Sequence, residues 1–455
     1  MEMPLYERLR NYADKSRVSF AMPGHKQRTD FSLLTRLDTT ELAATADLHA
    51  ESESVERANA LLSKLYRSKR SFILSGGSTT AIHAMIAAAV RPGETLLMTP
   101  DCHMSVINIC AVMGINIRVA DTEFDDEFAI SRGIKSVLKY LNDYPDIRAV
   151  LITSPTYYGV CSDIKLISEE CHMHGKPLIV DEAHGAHFIA SDSLPDSSSL
   201  YADLVCHSAH KTLNALTGAA YLHVRGDLIS PERVRRFINI FESSSPSYVI
   251  AASADTARAE LENSEEWDKA IALCEQFKER IRTLCITPFD NNDPTRIVLS
   301  FKRFNTTGYE IETILSEKYG IDIEMADMTS IVLIVTPKNT ADDLDKLYSA
   351  LKEITDGLER CETAADNIAH IPRGGIIRPQ SALFSEGEEV EFSNSAGRIS
   401  RATITAYPPG TPVIFAGETI TDAHIGAICQ LQSAGAKITG MNKNMIDTVN
   451  VKWKN

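Results

Sequence analysis

No two cysteines stand at C-x-x-C spacing in this 455-residue chain; its nine cysteines are scattered singly. That pattern suits reduced thiols in a cytoplasmic protein better than disulfides or a zinc cage. No apolar run approaches the length needed to span a bilayer. The opening stretch "MEMPLYERLRNYADK" mixes charges of both signs and has no apolar core segment, so neither a secretory signal nor a membrane anchor is expected. Positive charge is also short: 46 Lys and Arg against 61 Asp and Glu leave a net charge of −15. Nonspecific nucleic-acid binding, which draws on clustered positive charge, is therefore disfavoured. An acidic field of this kind favours cationic small molecules, though weakly. Internal repeats and low-complexity segments are absent as well.

What is present is length enough for two or three domains, with a hydrophobic content of 44%. Residues 1–70 read as an arm followed by a helix. From Ser71 a rhythm of short apolar runs begins: "SFIL", "ETLLM", "IRVAD", "RAVLIT", "KPLIV" and "ADLVCHS". Several are nearly continuous in Leu, Ile and Val, as parallel strands covered on both faces should be. The expected fold class is α/β, a sandwich wound on a mainly parallel sheet, over residues 71–255. A smaller α+β unit over 256–360 is suggested by "TRIVLSFKRF" and "SIVLIVTP" alternating with helical stretches. Residues 361–455, rich in Gly, Pro, Thr and Val, read as short strands and turns in a C-terminal domain.

In open parallel sheets ligands sit at the carboxyl ends of the strands, so the residues after each apolar run matter most. After "SFIL" come Gly76 and Gly77, which permit a tight turn, and then Ser78, Thr79 and Thr80, which open an Ala-rich helix. Backbone N–H groups, hydroxyls and the positive end of a helix make an anion site suited to phosphate. Taken alone, the same residues read first as an N-capped helix after a turn. The stretch is neither a P-loop nor G-x-G-x-x-G. After "ETLLM" comes His103, which by itself reads as structural. After "RAVLIT" comes the hydroxyl-bearing loop "SPTYYGV". After "KPLIV" come Asp181, Glu182, Ala183 and His184; after "ADLVCHS" come Ser208, His210 and Lys211. A loop lysine is by default a solvated charge, and a strand-end aspartate a cap or ion-pair partner. The joint order of phosphate turn, histidine, aspartate and lysine nevertheless matches the needs of pyridoxal 5′-phosphate. Its aldehyde takes a lysine amine, its ring nitrogen a carboxylate, and its phosphate anion donors.

With these residues in view the chain resembles the Orn/Lys/Arg decarboxylases, fold-type I pyridoxal-phosphate enzymes, in the short bacterial form without the N-terminal wing domain. The resemblance is carried by "MPGHK", "DLHA", "SGGST", "DCHMS", "SPTYYGV", "VDEAHGAHF", "HSAHKTLNALTGAAYLH", "SSSPSY", "DPTRIVLSF", "GIDIEMAD" and "YPPGTPVIFAGE", nearly the whole chain. It implies that Lys211 is the Schiff-base lysine, Asp181 the partner of the ring nitrogen and His103 the ring-stacking imidazole; these three form the expected catalytic set. Gly77, Ser78, Thr79, Ser208 and His210 would cradle the phosphate. Ala183 would lie against the opposite ring face, and His184 would border the cofactor and the substrate carboxylate. Met104, Gly218 and Ala406 depart from the commonest residues of the family, without removing a cofactor contact.

The implied activity is α-decarboxylation of a basic amino acid (arginine, lysine or ornithine) to its amine and CO2, with arginine slightly preferred. Glu324, Asp327 and Asp293 are candidate partners for the cationic tail. A homodimer or higher homo-oligomer with a shared active site is implied too. Rival readings are another fold-type I activity, such as an aminotransferase or C–S lyase, a catalytically silent cofactor-binding protein, and a metal hydrolase built on "DEAHGAH" and "CHMHG". The last lacks H-E-x-x-H spacing and a completing ligand cluster, so no metal is expected.

Overall fold

The computed structural model of the chain describes residues 18–20, 47–50, 53–125, 128, 130–361, 371–406 and 411–450. The motif "MPGHK" and the first part of "YPPGTPVIFAGE" lie outside the described residues. Strand β1 (Val18–Ser19) is followed by helix α1 (Glu53–Leu65), whose apolar face rests on the large sheet that follows.

That sheet has seven strands: β2 (Arg70–Leu74), β3 (Thr95–Met98), β4 (Asn116–Val119), β5 (Ile147–Thr153), β6 (Leu178–Asp181), β7 (Leu204–His207) and β8 (Ala220–Val224), in the order β2-β8-β7-β6-β5-β3-β4. Only β8 runs antiparallel to its neighbours. All six runs read as strands from the sequence lie in this sheet. Their continuous apolar character follows from burial on both faces: successive residues point to opposite sides, so each strand feeds two cores. Leu96, Met98, Leu151, Ile179 and Cys206 pack against α2 (Gly77–Ala89) and α3 (Met104–Met113). Leu97, Val150, Ile152, Leu178, Val180 and Val205 pack on the other side, against α4 (Leu138–Asp143) and α5 (Ile164–Met173). Asp181 has the parity of Ile179 and so faces the side on which α2 begins.

A second core gathers around a four-stranded antiparallel sheet, order β12-β13-β10-β9, formed by β9 (Thr287–Pro288), β10 (Arg296–Ser300), β12 (Met325–Ala326) and β13 (Ser330–Ile334). Strand β11 (Ile321–Asp322) leaves this region to pair in parallel with β1, stitching the N-terminal arm onto it. The C-terminal part holds two small sheets, β14 (Gly387–Glu391) with β18 (Met445–Val449), and β15 (Ile404–Ala406) between β16 (Pro412–Ile414) and β17 (Ile438–Thr439). It also carries a twelve-residue helix, Asp422–Ser433, which strands and turns alone did not anticipate.

Candidate active site

The carboxyl ends of β2, β3, β5, β6 and β7 converge on one cavity of about 870 Å³. Its lining takes in Gly77, Ser78, Thr79, His103, Asp181, Ala183, His184, Ser208, His210 and Lys211, so the fold brings together every residue that the sequence singled out for cofactor and catalysis. Crossover connections of the parallel sheet deliver these groups, because each strand leaves the core at the same edge.

One end of the cavity is built for an anion. Gly76 precedes α2 without a side-chain cap, so the first-turn amides of the helix are not satisfied by a capping side chain. The turn is held in place from behind: Glu242 Oε2 accepts from the backbone N–H groups of Ser75 and Gly76, both at 3.1 Å. A Cβ at Gly76 would lie 2.3 Å from Thr80 Oγ1, and Gly77 has φ of +74°, so both glycines are required by this geometry. Ser208 Oγ donates to Ser78 Oγ at 2.7 Å, which joins the hydroxyls of two strand ends. Gly77 N–H donates to the carbonyl of Gly218 at 2.8 Å. Gly218 itself has φ of +98° and its Cβ would stand 2.9 Å from the Ser75 carbonyl oxygen, a physical reason for glycine at that departure from the family pattern.

Asp181 also lines the cavity and is 3% exposed. Its Oδ1 accepts from the Ala183 N–H at 3.1 Å and the Cys206 thiol at 3.5 Å, and these bonds fix the carboxylate's direction. His103 caps α3: its Nδ1 accepts from the Ser105 N–H at 3.2 Å and lies 2.8 Å from Ser105 Oγ. Burial lowers its pKa, against the pull of Asp181, and because Nδ1 accepts from the Ser105 N–H the neutral ring carries its proton on Nε2. Residues of this kind fit pyridoxal phosphate: an uncapped helix start flanked by hydroxyls for the phosphate, a carboxylate for the ring nitrogen, and an amine for the aldehyde.

Lys211 lies in the short helix Ala209–Thr212 and lines the cavity, where its Nζ lies 3.0 Å from His184 Nε2. Loss of hydration lowers its pKa, opposed by Asp181 and Glu324. Burial holds His184 far below the usual histidine range, and the Lys211 and Arg296 charges add to this. The ring of Tyr157 meets His184 edge-on at 4.3 Å. Neither Tyr157 nor Arg296 was singled out from the sequence. Tyr157 carried a signal, as a hydroxyl-bearing residue beyond β5; Arg296 at the head of an apolar strand carried none.

The three candidate tail partners divide. Asp327 lines the cavity and accepts from Tyr158 Oη at 2.9 Å; burial raises its pKa. Glu324 accepts from Tyr157 Oη at 3.0 Å beside the cavity. Asp293 is turned away into a buried pair with His187, 3.3 Å apart, and accepts from Thr295, which corrects its reading as a substrate partner. Among the described residues no group of His, Cys, Asp and Glu has the arrangement to hold a metal ion.

Comparison with known proteins bears on the whole chain. The family model described as "Orn/Lys/Arg decarboxylase, major domain" matches residues 3–298, and "Orn/Lys/Arg decarboxylase, C-terminal domain" matches residues 379–449. An arginine decarboxylase of Halalkalibacterium halodurans is 30% identical over 99% of this chain and 97% of its own length. An arginine decarboxylase of Bacillus subtilis is 29% identical over 99% and 98%. Among solved structures, the lysine decarboxylase LdcF of Francisella novicida superposes with a TM-score of 0.77 at 18% identity, covering 98% of this chain and 81% of that one, a likeness of fold.

Proposed function

The chain belongs to the Orn/Lys/Arg decarboxylase family and is an amino-acid decarboxylase of fold-type I, and from that premise we propose that it removes the α-carboxylate of a basic amino acid, arginine first among them. The observation that carries this reading is the convergence of Lys211, Asp181, His103 and the uncapped start of α2 on a single cavity. Pyridoxal phosphate, when bound, supplies an aldehyde that condenses with amines and a protonated ring that takes up the electron pair of the breaking Cα–carboxylate bond.

The chain's own residues do the rest. Ser78, Thr79, Ser208 and His210, with the first-turn amides of α2, hold the phosphate. Asp181, its direction fixed by Ala183 and Cys206, keeps a proton on the ring nitrogen. His103 and Ala183, which both line the cavity, would flank the ring, the small side chain of Ala183 leaving it room. Lys211 is the attachment point. Either Lys211 Nζ or His103 Nε2 delivers the proton that replaces the carboxylate at Cα. Asp327 offers a cavity-lining carboxylate to the cationic tail. A homodimer or higher homo-oligomer with shared sites, a cytoplasmic location, and the division into units at about residues 70, 255 and 360 complete the proposal. No described helix is long and apolar enough to cross a membrane.

Incubation with arginine, lysine and ornithine in parallel, with CO2 and amine identified, tests the activity. Agmatine and CO2 from arginine is the expected result; a keto acid or ammonia would overturn it in favour of aminotransfer or C–S lysis. Borohydride reduction followed by peptide mapping should place the trapped cofactor on Lys211, and Lys211→Ala should trap none.

A further inference from the structure

Arg296 stands at the head of β10, only 1% exposed, and is followed by the apolar run Ile297, Val298 and Leu299. Its Nη2 lies 2.9 Å from His184 Nδ1, while its Nε and Nη1 are buried with no partner among the described residues. A buried guanidinium with two unsatisfied donors is costly, so one expects it to do something a hydrophobic residue could not. Its placement is tightly defined: a Cβ on Gly159 would come within 2.9 Å of Arg296 Cβ and 3.0 Å of Cγ, so the glycine admits the arginine's stem.

We infer that Arg296 is a positioning residue for Lys211 that acts through His184, fixing the imidazole proton on Nε2 and so presenting the lysine with a donor that only a neutral amine can accept. The reasoning is one of hydrogen-bond polarity. A guanidinium has donors and no acceptor, so at 2.9 Å the facing Nδ1 must be the unprotonated nitrogen. The neutral imidazole then carries its proton on Nε2, which lies 3.0 Å from Lys211 Nζ. An ammonium offers three donors and no lone pair; an amine offers one lone pair. The Arg296–His184–Lys211 chain is satisfied along its whole length only when Lys211 is unprotonated.

The surroundings act in both directions. Asp181 and Glu324 favour the ammonium, while desolvation and the Arg296 charge oppose it, and Cys206 completes the groups near Lys211. His184 faces Lys211, Arg296, His210, His103 and the ring of Tyr157. An ordinary lysine is unprotonated at pH 7 in roughly one molecule in a few thousand. A relay that holds the free amine ready would hasten cofactor attachment and its renewal after each turnover.

The inference rests on Lys211 as the attachment point, which borohydride mapping tests separately; trapping at another lysine would defeat that reading while leaving the following readout untouched. Cofactor-free full-length chain is trace-labelled with acetic anhydride across a pH series, and acetylation of Lys211 is compared with that of exposed Lys269 by peptide mass spectrometry. In the wild type Lys211 should label with a lower pH midpoint than Lys269. Arg296→Met should raise the Lys211 midpoint and reduce its labelling at pH 7 by roughly tenfold, the effect of one pH unit. In a His184→Phe background the same substitution should change little. A shift of full size in that background, or none in Arg296→Met alone, would overturn the inference. The wild type supplies a readout that needs no arginine variant: in 15N-histidine spectra the signal lost in His184→Phe should show the proton on Nε2 and a bare Nδ1, and the opposite tautomer would sink the relay.

Discussion

At the residue scale the informative contrast is between Asp181 and Asp293, two buried aspartates with very different partners. Asp181 ends a strand at the cavity and is held by donors on one oxygen only in part, which suits a carboxylate that must meet another charged group. Asn at 181 keeps the shape and loses the charge. Asp181→Asn should lower kcat by about a hundredfold or more, equivalent to ~2.7 kcal/mol, while cofactor still traps on Lys211; kcat near wild type would remove the carboxylate from the mechanism. Asp293 behaves otherwise: burial opposes its charge, yet His187, Arg296 and Thr295 bring its pKa down to about 2. A depressed carboxylate contributes stability that is complete above its unfolded pKa of about 3.9 and is lost as pH falls through the folded value. Urea unfolding should therefore show the gap between wild type and Asp293→Asn widest above about pH 4 and closing towards about pH 2. A gap that is constant with pH would mean that the pair contributes packing and no charge. Lys211 and Asp181 were legible as candidates in the sequence because Asp181 directly follows, and Lys211 stands three residues beyond, an apolar run that reads as a buried strand. Arg296 was not, since its partner His184 is 112 positions away and joins it only through the fold.

At the scale of elements, the six parallel strands were legible for the same reason, with Leu, Ile and Val feeding two cores. Strand β8 was not read, because "AYLHV" follows the lysine loop and its antiparallel return is decided by pairing with both β2 and β7. Beneath it lies a polar chain that sequence pattern cannot display: His207 Nε2 meets Glu182 Oε2 at 2.5 Å, and His207 Nδ1 meets His223 Nε2 at 3.0 Å. Glu182 also accepts from Ser197 and Ser198, so the residue beside Asp181 serves the sheet and not the cavity. The cavity wall at Asp327 depends on a close approach of elements. Gly308 begins the helix Gly308–Ile314, and a Cβ there would fall 2.2 Å from the Ser330 carbonyl oxygen and 2.4 Å from that of Asp327. Backbone cannot yield as a side-chain tip can, so Gly308→Ala should cost about 1–3 kcal/mol in urea unfolding. It should also raise KM for the basic substrate more than it lowers kcat, since the loop displaced carries Asp327. An unchanged KM with lowered stability would leave Asp327 without a part in binding the tail.

For the whole molecule, composition changes near residue 361, where the apolar rhythm gives way to Gly, Pro and Thr, and this marks a division in the sequence. Packing crosses it. Phe415 is fully buried in the same cluster as Leu96, Met98, Val106 and Ile107 of the large sheet and α3, and Ala416 joins it there. Arg373 lies 4.0 Å from the Phe415 ring, bonds Glu418 at 3.2 Å and reaches the cavity lining. Arg378 Nε donates to Asn116 Oδ1 at 2.9 Å at the edge of the large sheet. None of these contacts leaves a trace in local composition, because those that cross the division join residues hundreds of positions apart. A C-terminal part attached only by a linker would unfold on its own; one that lends a phenylalanine to the main core should not. Thermal unfolding of the intact chain should then show one transition for the large sheet and the C-terminal part, followed by calorimetry and near-ultraviolet circular dichroism together. Phe415→Ala should lower stability by about 3–5 kcal/mol and weaken cofactor retention, because the cavity left behind sits under the start of α3 where His103 is held. Two separate transitions in the wild type, or a Phe415→Ala effect confined to the lower one, would show instead that the C-terminal part rests on the large sheet without sharing its core.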